Sequence, residues 1–236
     1  QPLSHLPAFS LVEPLLQAIV NQNMIIGAPP GAGKSTVLPL SLLNTHIKGK
    51  ILLMQPRRVV VRNLAQYMAG VLGEQVGDTV GYRIRGESKV SANTRLEIIT
   101  EGILSRMIQS DPELDGVAVI IFDEFHERSL QVDASFALAK RTCLDQRPSL
   151  RLIVTSATLE LPRIAEYLSD CGSIELFARS YPVEVSHCSP NSRDPIWKQV
   201  ANQLKKLLRV REGDILIFMD GAYEISRGTM ISGAYS

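Results

Sequence analysis

Sulfur and imidazole are scarce in this chain, with three cysteines (Cys143, Cys171, Cys188) and four histidines in 236 residues. The cysteines are far apart, form no CxxC, and only Cys188 has a histidine beside it, His187. Neither a disulfide framework nor a zinc site is therefore expected, and the thiols read as buried groups in a reducing compartment. Aromatics are few, at 6%, and no ladder of them interleaves with basic residues, so base stacking along a nucleic-acid strand is not expected. No apolar run approaches the roughly 18 residues that a bilayer span needs, which argues against a membrane role. Neither sign of charge dominates, since 25 basic side chains face 24 acidic ones and the net charge is +1. A nucleic-acid partner would have to be held by a local patch. The 13 prolines and 16 glycines follow no period, which excludes collagen-like and low-complexity chains. The start, Gln1-Pro2-Leu3-Ser4-His5, has no basic stretch leading into an apolar one, so no secretory leader is expected. The missing initiator Met suggests a processed or excised piece, and the expected location is the cytoplasm.

What is present is ordinary globular material. An apolar fraction of 45% supplies a core of useful size. Apolar runs read as strands over Met24–Gly27, Lys50–Met54, Arg95–Ile99, Val117–Asp123, Arg151–Thr155, Ser173–Phe177, Val183–His187 and Asp214–Met219. Helical patterns lie between several of them, over Ser35–Leu43, Val59–Leu72, Gly102–Gln109, Val132–Leu144 and Pro162–Leu168. Strands as apolar as Val117–Phe122, alternating with helices, predict an α/β fold with a mostly parallel sheet covered on both faces. The pattern breaks at Arg179-Ser180-Tyr181-Pro182. Beyond it a helix with Ile196, Val200, Leu204 and Leu208 at i, i+4 spacing precedes one further strand, and the helical pattern fades after Arg227. We expect one complete domain over residues 1–178 and the opening of a second over 179–236.

Two segments carry recognisable chemistry. Ala28-Pro29-Pro30-Gly31-Ala32-Gly33-Lys34-Ser35-Thr36 follows a short strand and opens a helix, as a phosphate-binding loop must. Glycines there let backbone N–H groups face phosphate oxygens, and the helix N-terminus adds partial positive charge. Lys34 would reach the β- and γ-phosphates and Ser35 would ligate Mg²⁺; the first glycine of the GxxxxGK[ST] pattern is Ala28 here. The second segment ends the apolar strand Val117–Phe122 with Asp123-Glu124-Phe125-His126. Asp123 would hold Mg²⁺ through water, and Glu124 would orient and polarise the attacking water. Residues 111–133 contain seven acids against one base, Arg128, in keeping with a cation site. Residues 55–95 contain seven bases against three acids, a patch suited to sequence-independent phosphate contacts. Within it, Arg62, Lys89 and Arg95 are equally well read as solvated or paired with neighbouring acids.

Taken in order, these segments resemble superfamily 2 helicases. The phosphate loop, Asp123-Glu124-Phe125-His126 and Ser156-Ala157-Thr158 resemble motifs I, II and III of the DEAH-box branch, with Phe125 in place of the usual alanine. Gln55-Pro56-Arg57-Arg58 resembles motif Ia, Thr100-Glu101-Gly102 resembles motif Ib, and Val80–Arg85 fits the same branch. Pro29-Pro30-Gly31-Ala32-Gly33 together with Asp123–Ser129 resembles the bacterial HrpB-type ATP-dependent DEAH helicases in particular, and the likeness covers roughly residues 6 to 227.

The resemblance implies a RecA-like P-loop NTPase domain that binds ATP, with other NTPs also accepted, together with Mg²⁺ and one face of a single-stranded RNA or DNA. It implies catalytic roles for Lys34, Asp123, Glu124 and His126. Ser156 and Thr158 would couple hydrolysis to the strand, which Arg57, Arg58, Arg85, Thr100 and Gly102 would contact. A base-stacking position on the helix after motif Ia falls at Tyr67. The second RecA-like domain would begin after Pro182, with Asp214–Phe218 as its first strand and Met219-Asp220-Gly221 where the family has Leu-Pro-Gly. Motifs V and VI are absent from the sequence. An N-terminal helicase fragment that binds Mg·nucleotide, hydrolyses it slowly and unwinds nothing is therefore expected. The alternatives are a P-loop kinase or nucleotide switch acting on a small molecule, and a non-catalytic fragment kept for RNA or partner contacts.

Overall fold

The structure is a computed structural model that describes residues 3–157, 161–177, 184–189, 193–210 and 213–232, with residues 229–232 described by backbone alone. The chain divides into two compact units, Gln1–Tyr181 and Pro182–Ser236. In the first unit the strands are β1 (Asn23–Gly27), β2 (Lys50–Met54), β3 (Val80–Ile84), β4 (Glu87–Lys89), β5 (Leu96–Ile99), β6 (Val117–Phe122), β7 (Arg151–Ser156) and β8 (Cys171–Glu175). They form one sheet in the order β4-β3-β5-β2-β6-β7-β1-β8. Every neighbouring pair is parallel except the edge hairpin β3–β4.

Side chains alternate between the two faces of a strand, and here both faces are buried. Ile26, Leu53 and Ile121 enter one apolar cluster while their neighbours Ile25, Leu52 and Ile120 enter another. The first cluster is closed by α1 (Val12–Ala18), α2 (Lys34–Leu43) and α3 (Arg58–Leu72), through Leu15, Leu38, Val61 and Met68. The second is closed by α4 (Glu101–Ser110), α5 (Leu130–Arg141) and α6 (Leu161–Leu168), through Leu104, Phe136 and Ile164. The α/β architecture with a mostly parallel, doubly covered sheet is as the sequence predicts.

Three elements of the first unit lie outside the expected set. The turn Pro7–Leu11 with α1 is one, and the hairpin strands β3 and β4 are the others. β4 is the edge strand and β3 lies just inside it; polar residues such as Arg83, Glu87, Ser88 and Lys89 interrupt both, so no apolar run marks them. Gly81 is required there, because a Cβ would lie 2.4 Å from the Lys89 carbonyl oxygen. β8 is shifted from the expected Ser173–Phe177 to Cys171–Glu175, since its register is fixed by pairing with β1, Met24 opposite Gly172.

In the second unit α7 (Ile196–Leu207) and α8 (Ala222–Ser232) pack together, with the Trp197 and Tyr223 rings 5.8 Å apart. The expected strands Val183–His187 and Asp214–Met219 do not form: residues 184–187 and 214–219 are not in a sheet, and Val183 lies outside the described residues. A strand exists only with a partner to receive its hydrogen bonds, and none is offered among the described residues. α8 runs on to Ser232, past Arg227, where the sequence pattern fades.

Glu97 on β5 is fully buried, yet its carboxylate meets Lys50 Nζ at 2.6 Å and Arg83 Nε at 2.7 Å. Burial by itself would raise its pKa; the hydrogen bonds from Arg83 and Lys50 outweigh that and hold it below the ordinary 4.5. A depressed carboxyl contributes stability that is present above the unfolded value and lost as pH falls through the folded one. The urea midpoint should therefore drop on acidification below pH 4.5, and Glu97→Gln should flatten that drop. At neutral pH the substitution should cost about 1–3 kcal/mol. That is less than for a fully buried pair, because the half-exposed Lys50 and Arg83 keep part of their hydration.

Candidate functional site

Because β1, β7, β6, β2, β5 and β3 all run the same way, their C-terminal ends share one edge of the sheet. Ligands of open α/β sheets bind outside that edge. Read along it, the segments following the strands are the 28–36 loop, Ala157, Asp123–Glu127, Gln55–Arg57, Thr100 and Arg85. The fold thus lines up the segments that the sequence singled out.

The 28–36 loop leaves β1 with the Ala28 N–H donating to the Ser156 carbonyl, 3.1 Å, which ties it to the end of β7. Gly31 and Gly33 both have positive φ, +77° and +86°, a region that side chains other than glycine's rarely adopt. The loop is also braced from outside, since the Ala8 N–H donates to the Ala32 carbonyl (2.9 Å) and Leu6 packs on Gly33. Pro29, Pro30 and Gly31 are at least partly exposed, whereas Ala28 and Ala32 are buried. Lys34 opens α2 and is only 3% exposed, with its Nζ 3.0 Å from Glu124 Oε1. Thr36 donates back to the Gly33 carbonyl (3.0 Å), which leaves Ser35 as the half-buried hydroxyl with no hydrogen bond among the described residues.

Asp123 lies at the end of β6, 1% exposed. One of its oxygens accepts from Gln55 Nε2 and the other from Thr155 Oγ1. The next residue, Glu124, turns left-handed (φ 51°, ψ 39°) and starts a single helical turn, Phe125–Glu127. Such a conformation is uncommon for a residue with a side chain, and here it points the carboxylate at two partners. Glu124 Oε1 meets Lys34, and Oε2 lies 3.3 Å from His126 Nε2. The other ring nitrogen, Nδ1, accepts from the Ala157 N–H at 3.3 Å, which leaves Nε2 as the ring nitrogen that faces Glu124. His126 thereby joins the loop after β6 to the one after β7. Thr158 lies outside the described residues, and Ser156 is buried.

Toward β3 the edge becomes basic. Arg57 is exposed and grips Glu127 through two nitrogens, Nη2–Oε1 2.9 Å and Nε–Oε2 3.2 Å. Arg58 and Arg85 are exposed with no partner among the described residues, while Thr100 is buried as the residue that precedes α4 and Gly102 sits in its first turn. Arg62 is taken by Glu87, and Arg95 donates to the carbonyls of Leu43 and Ile47. Tyr67 is half exposed on α3, with no ring contact or hydrogen bond to the 28–36 loop among the described residues.

The sequence reading did not single out Gln55 or Thr155 as site residues, nor Glu127. A signal for the first two exists: each is a polar residue at or just beyond the C-terminal end of an apolar parallel strand, where a buried side chain needs a polar reason.

Ser35 and Asp123 offer one hydroxyl and one carboxylate, an oxygen-only set. That suits Mg²⁺, which keeps several waters and takes few protein ligands; the Asp123 carboxylate, already fixed by two donors, is presented without rearrangement. Removing one of those donors should be felt. Thr155→Val keeps the shape but takes away one hydrogen bond from a buried carboxylate, and should cost about 1–3 kcal/mol in urea unfolding. Thr155→Ser should recover most of it. A valine variant as stable as the parent would mean that Thr155 does not hold Asp123.

Comparison with known proteins gives a consistent picture. The sequence profile of DEAD/DEAH box helicases matches residues 12–167. The chain is 44% identical over 227 residues to the ATP-dependent RNA helicase HrpB of Escherichia coli, covering 95% of this chain and 28% of that one. To the pre-mRNA-splicing factor ATP-dependent RNA helicase prp22 of Schizosaccharomyces pombe it is 38% identical over 224 residues, 93% of this chain and 19% of that one. The crystal structure of the Escherichia coli DEAH/RHA helicase HrpB superposes with a TM-score of 0.92 at 43% identity, over 97% of this chain and 30% of that one. The chain thus spans less than a third of the length of these relatives. A profile taking in well over half of the residues, on a backbone this similar to a relative's, settles the matter of descent: the chain belongs to the DEAD/DEAH box helicase family.

Proposed function

We propose that the chain is the nucleotide-binding part of an ATP-dependent RNA helicase of the DEAH type, holding Mg·ATP at the β1–β7–β6 end of the sheet edge and a single strand at the β2–β5–β3 end. The observation that carries this is the pairing of the buried Lys34 with Glu124 across two loops that leave non-adjacent parallel strands. It places a phosphate-seeking ammonium and a base on one spot. The relatives' description as RNA helicases favours RNA over DNA as the strand, and NTPs other than ATP are expected to bind. Residues 1–178 would form the first RecA-like domain, and 179–236 the beginning of a second. The free thiols suit the cytoplasm, and no helix among the described residues is long and apolar enough to cross a membrane.

In this reading the backbone N–H groups of Gly31, Gly33, Lys34 and Ser35, at the start of α2, receive the phosphates, those of Ala32 and Thr36 being bonded to Pro29 and Gly33. Lys34 gives up its contact with Glu124 to take the β- and γ-phosphates. Mg²⁺, on Ser35 and through water on Asp123, would neutralise developing phosphate charge when bound. Gln55 and Thr155 keep the Asp123 carboxylate oriented. Freed from Lys34, Glu124 accepts a proton from the water whose oxygen attacks the γ-phosphorus, as the bond to the leaving nucleoside diphosphate breaks. His126 holds the second oxygen of Glu124, with its Nδ1 on the Ala157 amide. Arg57, Arg58, Arg85, Thr100 and Gly102 would contact the strand backbone, Ser156 and Thr158 would transmit its presence, and Tyr67 would stack on the nucleotide base.

Titration with fluorescent Mg·ADP, with and without single-stranded RNA, tests the reading. Lys34→Ala should weaken binding roughly 10- to 100-fold, the loss of one or two charge-assisted hydrogen bonds. RNA should change the affinity of the parent chain. Binding that is indifferent to both Lys34 and RNA would favour a small-molecule kinase or switch. Without the arginine that motif VI supplies, worth roughly 10³–10⁵ in turnover in tested NTPases, ATP hydrolysis by the 236-residue chain should stay close to background even with RNA. Vigorous RNA-stimulated turnover would overturn that expectation.

A further inference from the structure

Arg57 is 68% exposed, yet one edge of its guanidinium, Nε and Nη2, is occupied by Glu127. The pair joins two different functions. Arg57 precedes α3 on the loop that carries Gln55, at the strand-binding end of the edge. Glu127 is the last residue of the single turn begun by Glu124, and its N–H donates to the Glu124 carbonyl at 2.9 Å. Guanidinium forks bind carboxylate and phosphate in the same planar, two-point manner. A strand phosphate that takes the Nε–Nη2 edge therefore competes with the Glu127 carboxylate for it.

We propose that Glu127 is an internal stand-in for a strand phosphate: it holds the Arg57 guanidinium until a nucleic acid displaces it, and its release loosens the turn that carries Glu124. The inference rests on the functional reading above and gives one of its steps a physical path. Two features favour the exchange over a purely structural ion pair. The pair is exposed enough for a phosphate to enter without unfolding anything, and an exposed pair is weak enough to be displaced. The turn it steadies is strained at Glu124, so losing the brace has somewhere to be felt. Coupling is reciprocal: a nucleotide that draws Glu124 and its turn away from Arg57 strengthens strand binding by the same factor.

The test uses the whole chain, fluorescent Mg·ADP and a short oligouridylate, each titrated alone and with the other saturating. Glu127→Gln should tighten oligouridylate binding about 1.5- to 5-fold without nucleotide, the range of an exposed ion pair. It should also bring the ratio of affinities with and without the second ligand toward one. Glu127→Asp, which keeps the charge but shortens the reach, should shift both in the same direction. Glu113→Gln removes the same charge at an exposed position on the loop before β6 and should leave the ratio unchanged. An unaltered ratio in Glu127→Gln, with both ligands still bound, overturns the proposal and leaves the functional reading standing. Equal tightening in Glu113→Gln overturns it as a general charge effect. A parent chain that binds neither probe removes the functional reading, and the proposal with it.

Discussion

Burying a carboxyl group beside apolar strands is costly unless hydrogen-bond partners meet it, and Asp123 is such a group. Its strand, Val117–Phe122, is apolar throughout, and among the described residues no cation contacts its oxygens. What meets them is Thr155, on the neighbour strand on one side, and Gln55, just beyond the neighbour strand on the other. The three strand ends must stay level for these bonds to persist, and the register of β2, β6 and β7 keeps them so, with Phe122 opposite both Met54 and Val154. Once Asp123 is fixed, Glu124 has one way to go. Its left-handed turn brings it over Lys34, and His126 follows to reach Ala157. The β1–β7–β6 end of the edge hangs from that one carboxylate, and so does the first link to the β2–β5–β3 end.

How much of this could be read beforehand depended on the kind of signal. Uninterrupted apolar runs such as Ile51–Met54 and Val117–Phe122 announce buried parallel strands, because both faces of such a strand are covered. The loop from Ala28 to Thr36 is legible for a similar reason, since glycines before a Lys-Ser pair serve few other purposes. β3 and β4 escaped notice because an edge hairpin needs only one apolar face and tolerates arginine and glycine. Glu97 gave no hint of being buried; its burial depends on Lys50 and Arg83, distant in sequence, arriving on flanking strands. Gln55 and Thr155 were passed over because their partner is a carboxylate on another strand, a relation that no local spacing records.

The second unit shows the limit from the other direction. Asp214–Met219 has as clear an apolar pattern as β2, yet it forms no strand. Alternation survives in a weaker form: Leu216 and Phe218 are largely exposed, while Ile217 and Met219 turn toward Trp197, Leu204 and Ile225 on the helices. Apolar pattern decides which side of a segment is buried. Whether the segment becomes a strand is decided by hydrogen-bond partners, and pattern alone does not supply them.

Two cations on the sheet edge that chemistry would direct at phosphate, Lys34 and Arg57, are each held by a carboxylate of this chain. Lys34 is only 3% exposed, and the carboxylate 3.0 Å from its Nζ belongs to Glu124. On the proposed reading the arrangement would weaken phosphate binding, because each carboxylate would have to be displaced first. It would also make displacement informative. Glu124 and Glu127 are the two ends of one four-residue turn, joined by the hydrogen bond between the Glu127 N–H and the Glu124 carbonyl. On the proposed reading, a phosphate at Lys34 would release one end and a phosphate at Arg57 would release the other. The turn would then answer to two separate clamps, the one at Lys34 freeing the Glu124 carboxylate and the one at Arg57 loosening the backbone that carries it.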